Sequence, residues 1–188
     1  VLMGLQGWMG AVVVYSVLAP FKISIHMLIA LLIVTVLLYL NRLTVAYECS
    51  SNKLSTLWIW LALSVSIIQI VIGTQVRENV DILLPDIERV SLVSKLPSIF
   101  EYHRIVAWLV CCSNLMLLTY YRQWIGVFYE IRIIIASIIL LLLTGLVMTY
   151  YSLIGLLQFS HLILAVSLFI SQMSILMKKL HLPRLKFP

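Results

Sequence analysis

Apolar residues run along this chain in long unbroken blocks, and polar residues collect in the gaps between them. The blocks cover residues 1–19, 23–40, 57–76, 99–121, 131–151 and 154–177. Each is close to the roughly 20 residues a helix needs to cross the hydrocarbon of a bilayer. Backbone groups in hydrocarbon have to pair within their own segment, so such blocks predict helices. A barrel would show short strands of alternating polarity instead. The pattern predicts an all-α polytopic membrane protein with six transmembrane helices.

Composition strengthens that reading. The chain has 188 residues, 63% hydrophobic and only 11% charged, more apolar surface than a soluble domain of this size can hide. The net charge of +6 is then a topology signal, and no nucleic-acid partner is expected. Arg42, Lys53, Arg122, Arg132, Lys178, Lys179, Arg184 and Lys186 fall on one side of the membrane. Lys22, Arg77, Arg89, Lys95 and Arg104 fall on the other, together with Glu78, Asp81, Asp86, Glu88 and Glu101. The positive excess puts the loops after the second and fourth segments, and the C-terminus, inside. Cys49 then lies in an inner loop, with Cys111 and Cys112 mid-helix. None is placed for an outer-loop disulfide or a metal thiolate, so packing is their expected role. Val1 opens inside an apolar run with no signal-peptide layout, so a preceding segment in the gene product is expected.

The chain repeats itself. "GAVVVYSVLAPFKISIHMLIA" (10–30) aligns without a gap to "GLVMTYYSLIGLLQFSHLILA" (145–165), matching Gly10 with Gly145, Tyr15 with Tyr150, His26 with His161 and Ala30 with Ala165. The first hairpin is thus an echo of the last. The first and third segments also share Gln-x-x-x-Gly, "QGWMG" at 6–10 and "QIVIG" at 69–73. Glycine in a spanning helix usually permits close helix approach. If the last four segments form one four-helix unit, the first two are half of another.

Ionisable residues inside spanning segments are functional candidates by default. His26 and His103 open their helices, and His161 lies about 10 Å into its own at 1.5 Å per residue. All three helices run from outside to inside, so all three imidazoles occupy the outer half of the membrane. His26 precedes Ala30, His103 precedes Ala107 and His161 precedes Ala165, each by four, which is one face of a helix. A small residue one turn below an imidazole leaves room for a flat group such as haem. A single membrane histidine more often bonds a neighbouring helix than binds metal. Two at similar depth, on different helices of one four-helix unit, favour a shared ligand. Zinc would want further ligands at that level. Copper would have Met27 or Met148 to draw on, but an apolar surround with paired histidines suits a porphyrin better. His181, among basic residues near the C-terminus, is given no role.

The flanking groups sort similarly. "SIFE" (98–101) fits a capping box, with Ser98 as N-cap and Glu101 at N3. Arg77 and Arg104 sit where outer helix ends meet the expected cofactor edge; they are candidates for haem propionates, or snorkel to lipid headgroups. Residues 86–96, between Pro85 and Pro97, are expected to form a short interfacial helix. Tyr15 and Tyr150 read as interface-belt aromatics.

At these residues the chain resembles haem A synthase, and is similar to its Bacteroidetes-like form. The resemblance runs through "LQGWMGAVVVYS", "IHMLIALLIV", "IQIVIGTQVRENVD", "FEYHRIVAWL", "LLLTGLVMTYYS" and "FSHLILA", in order and over essentially the whole chain. It implies two pseudo-symmetric four-helix halves, each built around a histidine pair. On that frame residues 1–40 are the second hairpin of the N-terminal half, 57–177 the C-terminal half, and 178–188 a cytoplasmic basic tail. It implies that His103 and His161 are axial ligands of a haem b acting as electron relay, and that His26 is one iron ligand of the other site. There a methyl group of haem O is oxidised to the formyl group of haem A through hydroxylated intermediates. The other ligand, the catalytic acid and an outer-loop cysteine pair are expected on a first hairpin that precedes this sequence. Implied partners are the bilayer, the enzyme supplying haem O and the terminal oxidase under assembly, with a homo-oligomer left open. The implied location is the bacterial inner membrane. Two alternatives stay open: a non-enzymatic b-type cytochrome beside an oxidase, and a membrane scaffold whose histidines only bond helices together.

Overall fold

The computed structural model describes residues 1–15, 21–44, 53–89, 91–122, 129–151 and 153–179. Cys49, His181, Arg184 and Lys186 lie outside the described residues. The apolar blocks fold as helices: α1 (Leu2–Tyr15), α2 (Lys22–Thr44), α3 (Lys53–Leu83), α4 (Ile99–Tyr121), α5 (Tyr129–Tyr150) and α6 (Gly155–Lys179). There is no strand among the described residues. All but α1 are long and apolar enough to cross a membrane. Their outward faces carry Trp108, Leu109 and Leu115 on α4 and Leu142, Leu143 and Leu146 on α5, all exposed. Only lipid hides such a surface. The chain is an integral membrane protein.

Neighbours in sequence pair in space. α1 packs on α2, α3 on α4, and α5 on α6; α6 then lies against α3, and α2 reaches both. The core between the last four helices is filled by Ile59, Leu63, Leu117, Ile131, Ile134, Phe169 and Leu176, all fully buried. Within it Gln172 Nε2 donates to Asn114 Oδ1 (2.8 Å) and Ser66 Oγ (3.0 Å), joining α6, α4 and α3. At the end where α5 begins, Glu130 is buried and takes bonds from Lys178 Nζ (2.5 Å) and Ser174 Oγ (2.8 Å). A buried carboxylate is tolerated only when paired and hydrogen-bonded in this way. α2 is pinned at both ends. Ser24 Oγ meets Thr74 Oγ1 at 2.6 Å, and Arg42 Nε donates to the Met177 carbonyl at 3.0 Å. The backbone N–H of Phe21, a residue with φ of 66°, reaches Glu78 Oε2 at 3.3 Å.

Several expectations are corrected. α3 continues seven residues beyond the apolar block that ended at 76. An Arg77–Asp81 pair one turn apart (2.7 Å) and burial of Glu78 and Val80 carry the helix on. At 1.5 Å per residue its 31 residues span about 46 Å, more than the hydrocarbon alone. No helix forms over 86–96 in the described residues: turns lead into one 3-10 turn at Val93–Lys95. Leu92 is instead buried with Val80 and Leu153, and Ile87, Val93 and Leu96 pack around them. Arg89 ties the segment down by donating to the Leu153 carbonyl (2.8 Å). The apolar side chains of this loop plug the bundle end instead of forming one lipid-facing stripe.

The capping box is also absent. Ser98 has helical dihedrals (φ −52°, ψ −21°) and makes no side-chain cap. A capping hydroxyl needs the extended backbone that aims it at the N3 amide. Glu101 turns to Arg104 (3.2 Å) instead. Lys178 and Lys179, read as the start of the tail, close the last turn of α6.

Candidate functional site

The three hairpins share one local device. In each, a glycine on the first helix faces the histidine near the start of the second. A Cβ placed on Gly10 would lie 3.5 Å from Cε1 of His26; on Gly73, 3.3 Å from Cε1 of His103; on Gly145, 3.7 Å from Cε1 of His161. The bare backbone lets each imidazole tuck between its two helices. A polar side chain beside each glycine then meets the ring. Gln6 Nε2 lies 3.2 Å from His26 Nε2. Gln69 Nε2 lies 3.2 and 3.3 Å from the two ring nitrogens of His103 and donates to the His103 carbonyl at 3.1 Å. Thr144 Oγ1 lies 2.7 Å from His161 Nδ1.

The fold brings two of the three histidines together. The His103 and His161 rings stand with centroids 6.5 Å apart and planes inclined at 54°. They come from α4 and α6, helices separated in sequence and joined through α3 and α5. His26 meets neither of them, and no second imidazole approaches it among the described residues.

The pair has the spacing of a shared metal. An ion about 2 Å from one nitrogen of each ring sets the ring centres roughly 6 Å apart. Among the described residues no three His, Cys, Asp or Glu side chains gather for a metal. Two imidazoles at this spacing with no third ligand beside them fit a group that brings its own remaining donors, as haem does. Ala107 and Ala165, one turn below the two histidines, are half-buried. Cys111, half-buried, and Cys112, exposed, are free thiols. Met148 packs with Val80, Leu92 and Leu153, and Met27 against the main core.

The two arginines separate. Arg77 stands one turn beyond Gly73 and reaches from α3 to Gln158 on α6, three residues before His161, while its other end pairs with Asp81. It therefore bridges the two hairpins at the rim of the histidine pair. Arg104 turns along its own helix, to Glu101 and over the Phe100 ring at 6.0 Å. Tyr15 and Tyr150 are exposed at helix ends.

Sequence reasoning missed Gln6, Gln69 and Thr144 as partners of the histidines. A signal existed: the Gln-x-x-x-Gly of α1 and α3 places both residues on the face that the next helix's histidine fills. Three buried atoms there have no partner, Gln6 Oε1, His26 Nδ1 and Gln69 Oε1. Unpaired buried polar atoms are costly enough to mark where another group belongs.

Compared with known proteins, residues 1–173 match a family model described as COX15-CtaA, cytochrome oxidase assembly protein. No curated protein and no solved structure matches the chain significantly.

Proposed function

This chain belongs to the COX15-CtaA family of cytochrome oxidase assembly proteins, and we propose that it is the haem A synthase of that pathway. In this reading it is an oxidoreductase of the bacterial inner membrane that oxidises a methyl group of haem O to the formyl group of haem A. The observation that carries the reading is the pair of imidazoles, His103 and His161, standing 6.5 Å apart on separate helices. The two would hold a haem b by its iron, which when bound supplies a one-electron couple. The chain's own part is placement. Gly73 and Gly145 let the rings sit close to the backbone, and Leu92, Val80 and Leu153 cluster near the Leu83 end of α3 and the Gly155 end of α6. Arg77, at the rim between α3 and α6, is the better placed of the two arginines to meet a propionate, exchanging its Asp81 or Gln158 contact. His26, held by Gln6 and set against Gly10, would be one ligand to the substrate haem.

A second reading is a b-type electron carrier, for which the His103–His161 pair would suffice without a substrate site. The two readings part in cells. Deleting the gene leaves haem O in place of haem A in membrane extracts if the chain is the synthase, and leaves haem A intact if it is only a carrier. A purified protein without haem bands in its visible spectrum would end both.

A further inference from the structure

The two histidines of the pair are not held alike, and the difference lies in their hydrogen-bond partners. Thr144 Oγ1 donates to the Leu140 carbonyl at 2.8 Å, with the Leu141 carbonyl at 3.1 Å. This is the ordinary back-bond of a helical threonine. A hydroxyl has one proton, so once it is given to the helix the oxygen offers only lone pairs. His161 Nδ1, 2.7 Å away, then has to be the donor. That fixes the proton on Nδ1 and leaves Nε2 with its lone pair in the plane of the ring. His103 has a different neighbour. The amide nitrogen of Gln69 is identified as nitrogen by its bond to the His103 carbonyl (3.1 Å), because an amide oxygen would be repelled there. His103 thus faces a donor, and His161 an acceptor.

We infer that Thr144 is a positioning residue that selects the Nδ1-protonated tautomer of His161, which would make it the more electron-rich of the two imidazoles holding the iron. The inference rests on the haem reading above. An acceptor on the far nitrogen fixes ring orientation and raises ligand basicity, and loss of such a partner typically costs 10- to 100-fold in metal binding. A more basic ligand favours the ferric form, so Thr144 holds the midpoint potential down.

The test is redox titration of the purified protein in detergent, followed through the low-spin haem absorbance. Thr144→Val, nearly isosteric but without the hydroxyl, is expected to shift the midpoint potential positive. If the bond is worth tenfold in the ratio of ferric to ferrous protein, the shift is about 59 mV for one electron. Thr144→Ser, which keeps the hydroxyl, is expected to titrate with the wild type. An unchanged potential in Thr144→Val overturns the inference, and so does an equal shift in both variants, which would assign the effect to packing. If Thr144→Val loses haem while Thr144→Ser keeps it, the bond is what holds the ligand; loss from both overturns the proposal. A wild-type protein that carries no haem sinks the haem reading and this inference with it. Haem in the wild type with an unmoved Thr144→Val potential sinks the inference alone.

Discussion

The C-terminal four helices and the α1–α2 hairpin use the same parts to different ends. Both set an imidazole against a bare glycine and beside a polar side chain, His26 with Gly10 and Gln6, His103 with Gly73 and Gln69. In the C-terminal half a second hairpin faces the first, and His161 completes a pair. In α1–α2 no second imidazole meets His26 among the described residues, and its Nδ1 is buried without a partner there. The hairpin is therefore the unit that presents a histidine, and in α3–α6 two such hairpins packed together bring two histidines into one pair. Helix-to-helix bonding does not require that second step; sharing one ligand does.

The largest expected effect tests that division directly. His103→Ala or His161→Ala should each abolish the low-spin b-type signal in the visible spectrum of purified protein. His26→Ala should leave it at wild-type intensity. Loss of the signal in His26→Ala alone would move the haem to the other half and undo the comparison.

Much of this is legible in the sequence. Long apolar blocks without alternation admit only helices in lipid, so the helices and their order followed from the pattern. The histidines were conspicuous because ionisable groups are rare in such blocks. What the pattern did not carry was helix rotation. Gln69 and Gly73 stood out as a repeated motif, yet their tie to His103 depends on which face of α3 meets α4. The loop after α3 departs from the pattern for a related reason. Its leucines and valines fit an interfacial helix equally well, and the burial of Leu92 against Val80 and Leu153 depends on contacts far apart in sequence. "SIFE" failed because a capping box is fixed by the backbone dihedrals of Ser98 and not by residue type.

The glycines give a graded second prediction. A Cβ on Gly73 would meet His103 Cε1 at 3.3 Å, tight enough to push the ring, whereas on Gly145 it would meet His161 at an ordinary 3.7 Å. Gly73→Ala should weaken haem retention about tenfold, the low end for a disturbed ligand support, read as faster transfer to an apoprotein acceptor. Gly145→Ala should keep its haem and gain up to about 1 kcal/mol from the better helix former, read as a higher unfolding midpoint in detergent. The reverse ranking would mean that His161, not His103, is the more tightly cradled ring.

The smallest effect is expected at the seam between the two regions. Ser24 and Thr74 share a 2.6 Å contact, and Thr74 already donates its proton to the Val71 carbonyl at 2.7 Å. The shared proton therefore comes from Ser24, and Ser24→Ala removes the donor without stranding Thr74. Hydrogen bonds between membrane helices average about 0.6 kcal/mol, so a drop of that size in detergent unfolding is expected. Thr74 adjoins Gly73 in sequence but turns to α2, while Gly73 turns to His103. The b-type spectrum of Ser24→Ala should accordingly match the wild type. A shifted spectrum would show that α1–α2 braces the His103 wall through this one contact, and the two regions would then have to be treated as a single site.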